Sequence, residues 1–293
     1  MANAITLSKN FVPILDEIYK EASLTSVLDG AAELVQQGAN ANELIIPKLD
    51  MQGLGDYNRN SGYVSGDVTL TNETVKCNFD RGRMFTVDYL DNLETAGIAF
   101  GRLSGEFIRT KVVPELDAFR LATYAGVTGI SKVSTGASLA DGAAVIAALR
   151  AAVSKMDEDE VPSTGRYLFI TPTLYGMIQD MDTTKSREVM QNFAASIKVP
   201  QTRFYTAIDQ NDGTSSGEEA GGYKKGSGAA DINFMIIHKP AVIQFQKHVA
   251  PKIITPEQNQ DADAYKFGYR NVGIADVYEN KVAGIYLHHK AVG

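Results

Sequence analysis

Four histidines, one cysteine and two groups of carboxylates are the residues of this 293-residue chain that could do chemistry. Hydrolysis or metal-assisted catalysis would need them gathered, as a nucleophile beside a base or as three or four converging ligands. Their spacing argues otherwise. His288 and His289 are adjacent, and neighbours on a strand point to opposite faces, so the pair cannot chelate one ion there. Neither they nor His238 and His248 have a suitably spaced ligand partner. Cys77 stands alone, which excludes an intrachain disulfide and a cysteine-based zinc site and fits a reducing compartment. Gly221-Gly222-Tyr223-Lys224-Lys225-Gly226 lacks the Gly-Lys-Ser/Thr ending that places a lysine and a hydroxyl on phosphates, and reads as a flexible loop. Gly-x-Ser-x-Gly, His-Glu-x-x-His and the dinucleotide fingerprint are all missing. Asp157 to Glu160, and Asp261, Asp263, Asp276 and Glu279, have no EF-hand spacing and read as solvated carboxylates. Asn72-Glu73-Thr74 matches a glycosylation acceptor, but nothing routes the chain to a secretory pathway. The expectation is a non-enzyme with no catalytic residue, metal or cofactor.

Composition narrows the classes further. The chain is long enough for a well-buried core and two sub-domains, and 44% hydrophobic with 22% charged residues is an ordinary globular balance. A net charge of −7 argues against a protein whose task is gripping a nucleic-acid backbone, though it suits a wall that phosphate slides along. There is no charge-poor run of transmembrane length and no basic-then-apolar leader, so cytoplasmic synthesis without a membrane is expected.

The elements alternate between helix and strand signals. Phe11, Leu15, Ile18 and Tyr19 recur at helical spacing in an N-terminal arm that ends near Lys48, broken at Gly38 to Asn42. Val68 and Leu70, then Val75, Cys77 and Phe79, alternate about a short polar turn at Thr71-Asn72-Glu73, which predicts a projecting two-stranded hairpin. A strand follows at Met84 to Tyr89. Phe100, Leu103, Phe107, Ile108, Val112, Leu116 and Phe119 form one apolar stripe, predicting a long helix from about Asp91 to Ala125 with a bend at Pro114. Asp141 caps a second helix carrying Val145, Leu149, Val153 and Met156 on one face. A short strand at Tyr167 to Ile170, a helix after Thr171-Pro172 and an exposed glycine-rich loop from Gly213 to Gly228 follow. Strands at Ile232 to Ile237, Val242 to His248, Val272 to Tyr278 and Val282 to His288 complete an α+β chain.

The order of these parts carries a resemblance. The Val112-Val113-Pro114-Glu115-Leu116-Asp117-Ala118-Phe119-Arg120 run is similar to the spine helix of phage capsid proteins. The C-terminal run, Asn259 to Tyr265, Tyr269-Arg270 and Val277 to His289, resembles theirs too. The chain thus resembles a tailed-bacteriophage major capsid protein with the HK97-type fold. The resemblance implies an N-terminal arm over residues 1–53, an E-loop hairpin over 54–84 and a P-domain with spine helix over 85–135. An A-domain over 136–250 and return strands of the P-domain over 251–293 follow. It implies pentamers and hexamers closing an icosahedral head around double-stranded DNA that is enclosed without sequence-specific binding. Portal and cement proteins are further partners it implies, with assembly in the bacterial host cytoplasm and residence in the virion capsid. The helical scaffolding segment of some members has no counterpart before the arm, so the resemblance implies a separate scaffolding protein, or a processed or trimmed chain. Lys76 lies in the E-loop-like segment, but no partner for a covalent cross-link matches by motif. An encapsulin-like nanocompartment shell around a protein cargo is the alternative. In either shell Arg81, Arg83, Arg102 and Arg109 are candidate inter-subunit contacts, able to pair with carboxylates of neighbours.

Overall fold

The computed structural model describes residues 23–30, 36–37, 43–60, 62–90, 98–181 and 183–292. The arm helix around Phe11 to Tyr19 and residues 91–97 at the expected start of the long helix lie outside them.

The hairpin forms from different limbs than the alternation predicts. After the two-residue strand β1 (Gln36–Gln37), β2 (Glu43–Met51) pairs antiparallel with β3 (Val68–Lys76), in register from Glu43 opposite Lys76 to Met51 opposite Val68. Thr71-Asn72-Glu73 is therefore the middle of a strand rather than a turn, and the connection is the long stretch 52–67. The first limb falls within what reads as the arm. The three polar residues lack the asparagine–glycine chemistry that would force a reversal, so nothing stops the strand running through them.

β4 (Phe79–Asp88) leaves this hairpin and enters a second sheet. The helix that follows is continuous but not uniform: α1 (Ile98–Phe107) passes through a π turn at Ile108–Val112 into α2 (Val113–Gly126). Pro114 has no N–H to offer the preceding turn, so the ladder slips to a wider spacing just before it. The expected disturbance at Pro114 is thus a π turn on its N-terminal side. Phe79, Ile108, Val113 and Leu116 bury this helix against the sheet, with Phe85 and Phe107 edge to face at 4.8 Å.

After β5 (Ser131–Lys132), Asp141 accepts from the Ala144 amide at 2.7 Å and opens α3 (Gly142–Glu158), as its cap position predicts. Then come β6 (Arg166–Ile170), α4 (Pro172–Met181), α5 (Thr184–Met190) and β7 (Ala195–Lys198). A Cβ on Gly142 would collide with the Met177 carbonyl, so glycine there lets α3 and α4 close up. β8 (Ile208–Gln210) and β9 (Tyr223–Lys225) pair as a small hairpin carrying the glycine-rich loop. β10 (Ile232–His238), β11 (Val242–Ile254), β12 (Ala264–Val277) and β13 (Ile285–His289) finish the chain.

The five-stranded sheet runs β5-β13-β10-β6-β7 and separates two cores. Leu168, Ile170, Phe234, Ile236 and Tyr286 face α3, α4 and α5. Phe169, Met235, Ile237, Ile285 and Leu287 face α2. A bulge between Ile232 and Phe234 turns Ile232 to the second set. Both faces are covered, which is why Ile232-Asn233-Phe234-Met235-Ile236-Ile237 reads as a nearly unbroken apolar run. The second sheet runs β11-β12-β4, with Pro251 tolerated because β11 is an edge strand. The last two strands therefore part company: β12 joins β4 and β11, while β13 joins the five-stranded sheet. A boundary between 250 and 251 would cut through β11.

Candidate assembly surfaces

Beyond its base, the β2–β3 hairpin stands clear of the body. Residues 51–60 and 63–72 are all exposed, and Val75 at the base is buried against Ile243 and Ile274. Leu54 is fully exposed, Tyr63 is 90% exposed, and Met51, Val64, Val68 and Leu70 lie open beside them. An Asn58–Gly62 bridge, with Gly62 at φ +81°, folds the tip back, and the Tyr57 and Tyr63 rings meet at 4.9 Å. A two-stranded hairpin with its apolar side in water is marginal by itself, and an apolar patch of this kind marks a surface that another molecule covers.

A buried polar network fixes the segment before the hairpin. Asp117 on α2 is fully buried and accepts from the Ser23 hydroxyl at 2.9 Å, the Leu24 amide at 3.0 Å, and the Thr25 amide and hydroxyl at 3.2 and 2.7 Å. Arg203 approaches the same carboxylate at 3.4 Å. Arg120, one turn on, donates to the Thr25 hydroxyl at 3.0 Å and pairs with Asp29 at 3.4 Å. Gln244 of β11 donates to the Thr25 carbonyl and to Asp29, each at 2.7 Å, and accepts from the Tyr124 hydroxyl at 2.8 Å. Each side chain has partners, so the network holds residues 23–30 rather than straining the core. Sequence reading misses Asp117, Arg120 and Gln244, because helical periodicity for the first two and strand alternation for the third treat such polar positions as solvated.

The four arginines have separate fates. Arg81 on β4 donates from Nε to Glu115 at 2.8 Å and from Nη2 to the Asn211 carbonyl at 2.7 Å and that of Gly222 at 3.3 Å. Arg83 donates to the Ala220 and Glu219 carbonyls at 3.1 and 2.9 Å. Both thus hold the glycine-rich loop against the second sheet within one chain. A Cβ on Gly221 would stand 2.8 Å from the Arg83 guanidinium, so the loop's glycines admit this contact. Arg109 is exposed on the π turn and pairs with Glu106 at 2.5 Å. Arg102 belongs to α1, and its side chain falls outside the described residues. Between β4, the π turn and the β8–β9 hairpin lies an open cleft of about 1180 Å³.

The Ser215 hydroxyl, with the Ser215 and Thr214 amides, holds the Asp212 carboxyl well below the usual range and gives the glycine-rich loop a defined turn. Lys225 and Lys290 flank Asp231 and hold its carboxyl down. His288 stacks on Phe234 at 4.9 Å and contacts the Asn233 amide nitrogen at 3.0 Å; burial, then the nearby His289, push its pKa down to about 4. His289 meets the Lys290 carbonyl at 2.6 Å. The two histidines are built into β13, and among the described residues no group of three or more His, Cys, Asp or Glu could hold a metal ion. No described helix is long and apolar enough to cross a membrane.

The same arrangement of parts recurs in solved capsid structures. The capsid of Myoviridae phage XM1 superposes with a TM-score of 0.53 at 13% identity, covering 92% of each chain. The capsid of cyanophage P-SCSP1u gives 0.54 at 10% identity, over 88% of this chain and 86% of that one. A virus-like particle from Pyrococcus furiosus gives 0.53 at 12% identity, over 93% and 98%. The chain has the HK97-type capsid fold. No protein-family model matches the sequence, and no curated protein matches it. At such low identity the likeness lives in three dimensions.

Proposed function

We propose that this chain is the major capsid protein of a tailed bacteriophage. Copies associate as pentamers and hexamers and close an icosahedral shell around double-stranded DNA, with the virion capsid as its location and the host cytoplasm as the place of assembly. The observation that carries the reading is the β2–β3 hairpin, whose apolar tip no described residue of the body buries. In an HK97-type shell a neighbouring subunit supplies the missing cover, so the hairpin is an E-loop of which 43–51 is the first limb. The remaining parts are assigned accordingly: residues before Glu43 form the N-terminal arm, 85–135 the spine-helix part of the P-domain and 136–241 the A-domain, with β13 returning to the A-domain sheet. A separate scaffolding protein, a portal and cement proteins are the partners of such a shell. Arg102 and Arg109 are the inter-subunit candidates on the helix; Arg81 and Arg83 act there through the loop that they hold. The shell role needs no catalysis.

A second reading is a nanocompartment shell around a protein cargo, since the likeness includes a virus-like particle from Pyrococcus furiosus as well as phage capsids. Electron microscopy of the protein, expressed alone and with a scaffolding protein, tests both. Closed polyhedral particles containing DNA are the expected outcome in an infected host. Particles filled with one protein would favour the nanocompartment, and a monodisperse monomer under every condition would overturn both.

A further inference from the structure

The second sheet contains a residue that its own fold leaves unexplained. Asn271 sits on β12, the central strand, at 1% exposure, and neither its Oδ1 nor its Nδ2 has a hydrogen-bond partner. Central strands disfavour asparagine, and a buried carboxamide unmet at both ends is destabilising unless something arrives to meet it. Asn271 stands opposite Arg81 in the ladder, and both line the cleft between β4, the π turn and the β8–β9 hairpin. Across that cleft the Oδ1 of Asn211 is buried without a partner as well.

The charges of the lining are unequal in the same place. Its carboxylates are engaged: Asp80 with Arg270, Glu106 with Arg109, Glu115 with Arg81, and Asp212 with its own turn. Lys224 and Lys225 are held by Glu218 and Asp231. Arg83 touches only backbone carbonyls, and among the described residues neither it nor Lys111 has a carboxylate partner.

We propose that this cleft is the docking site for an extended acidic peptide segment belonging to a different protein. The Asn271 carboxamide and Asn211 Oδ1 are buried beneath the lining, so the peptide meets them as their side chains turn outward, where they offer its backbone a donor and acceptors. Arg83 and Lys111 then receive a carboxylate, while Phe85, Phe107 and Tyr269 supply an apolar wall for a neighbouring side chain. A cleft of about 1180 Å³ has room for several residues, more than a lone ion would use. The site is complete within one chain, so it exists in the free protein.

The test uses a fluorescein-labelled peptide, acetyl-Gly-Leu-Asp-Gly-Glu-Gly amide, and its neutral analogue with Asn and Gln in place of the acids. Anisotropy titrations are run on the free chain and on assembled particles, so a failure to assemble leaves the binding result readable. The acidic peptide should bind at least about tenfold more tightly than the neutral one and weaken as salt is added. Asn271→Leu and Lys111→Ala should each weaken it by about tenfold. Lys111 is exposed, so its replacement leaves folding intact should the Asn271 variant misfold. Equal binding of the two peptides, no binding of either, or affinity unchanged in Lys111→Ala would overturn the proposal. A map of the assembled shell with a neighbouring copy's residues 52–67 in the cleft would overturn it too.

Discussion

Strand β10 is buried along its whole length, with α3, α4 and α5 over one face of its sheet and α2 over the other. Strand β3 carries Val68 and Leu70 about two-thirds exposed, and its hairpin meets the body only at the base. Both strands are rich in β-branched and apolar residues, so propensity does not separate them. What separates them is where the covering surface comes from. The five-stranded sheet is satisfied by its own chain; under the proposed shell role, the hairpin leaves its apolar area for another copy to bury. On the proposed reading, stability and assembly fall to different residues, and substitutions should divide the same way.

The largest contrast belongs to the hairpin tip. Leu54→Asp combined with Tyr63→Ser should abolish shell formation by electron microscopy and sedimentation while moving the unfolding free energy by no more than about 0.5 kcal/mol. Shells in normal yield would break the comparison outright. Leu149→Ala, fully buried beneath the five-stranded sheet, should do the reverse. Urea unfolding of the free chain should show a loss of about 2–5 kcal/mol, with particles still forming at low temperature.

Acid sharpens the contrast from another side. The unfolded His288 imidazole takes a proton near its ordinary value of 6.5, while the folded one resists until about 4. Its neutral form therefore supports the fold in full above pH 6.5, and stability is lost as pH falls from 6.5 to 4, the loss reaching about 3 kcal/mol at the lower end. Urea midpoints at pH 7 and 4.5 should fall less in His288→Gln than in the parent; an equal fall would remove this residue from the account. The smallest effect is expected at the α3 cap, where Asp141→Ala loses the bond to the Ala144 amide and about 1 kcal/mol, read from the same unfolding curves.

The self-sufficient region was the more legible one in sequence. Asp141, the Val145-Leu149-Val153-Met156 face, the strand at Tyr167 to Ile170 and the run at Ile232 to Ile237 all stand where their patterns place them. Each is set by local chemistry or by burial on a known side. The hairpin was misread because a strand exposed on both faces carries no pattern to fix its ends. Thr71-Asn72-Glu73 looks like a turn in one dimension and is mid-strand because Glu43–Met51 pairs with it. Asp117, Arg120 and Asn271 were missed for a related reason: their surroundings are assembled from distant segments, and spacing along the chain says nothing of that.

The Asp117 network has a further consequence, in the order of events as the chain is made. Ser23 and Asp117 are 94 positions apart, and Thr25 and Gln244 are 219 apart. Contacts of such separation form slowly, since the loop they close must first give up its freedom. A chain emerging from the ribosome cannot complete the knot until most of its length has been synthesised. Until then Asp117 and Arg120 remain hydrated and the N-terminal segment stays undocked. Closure of this knot thus marks the moment at which residues 23–30 are docked and the finished chain differs from a nascent one.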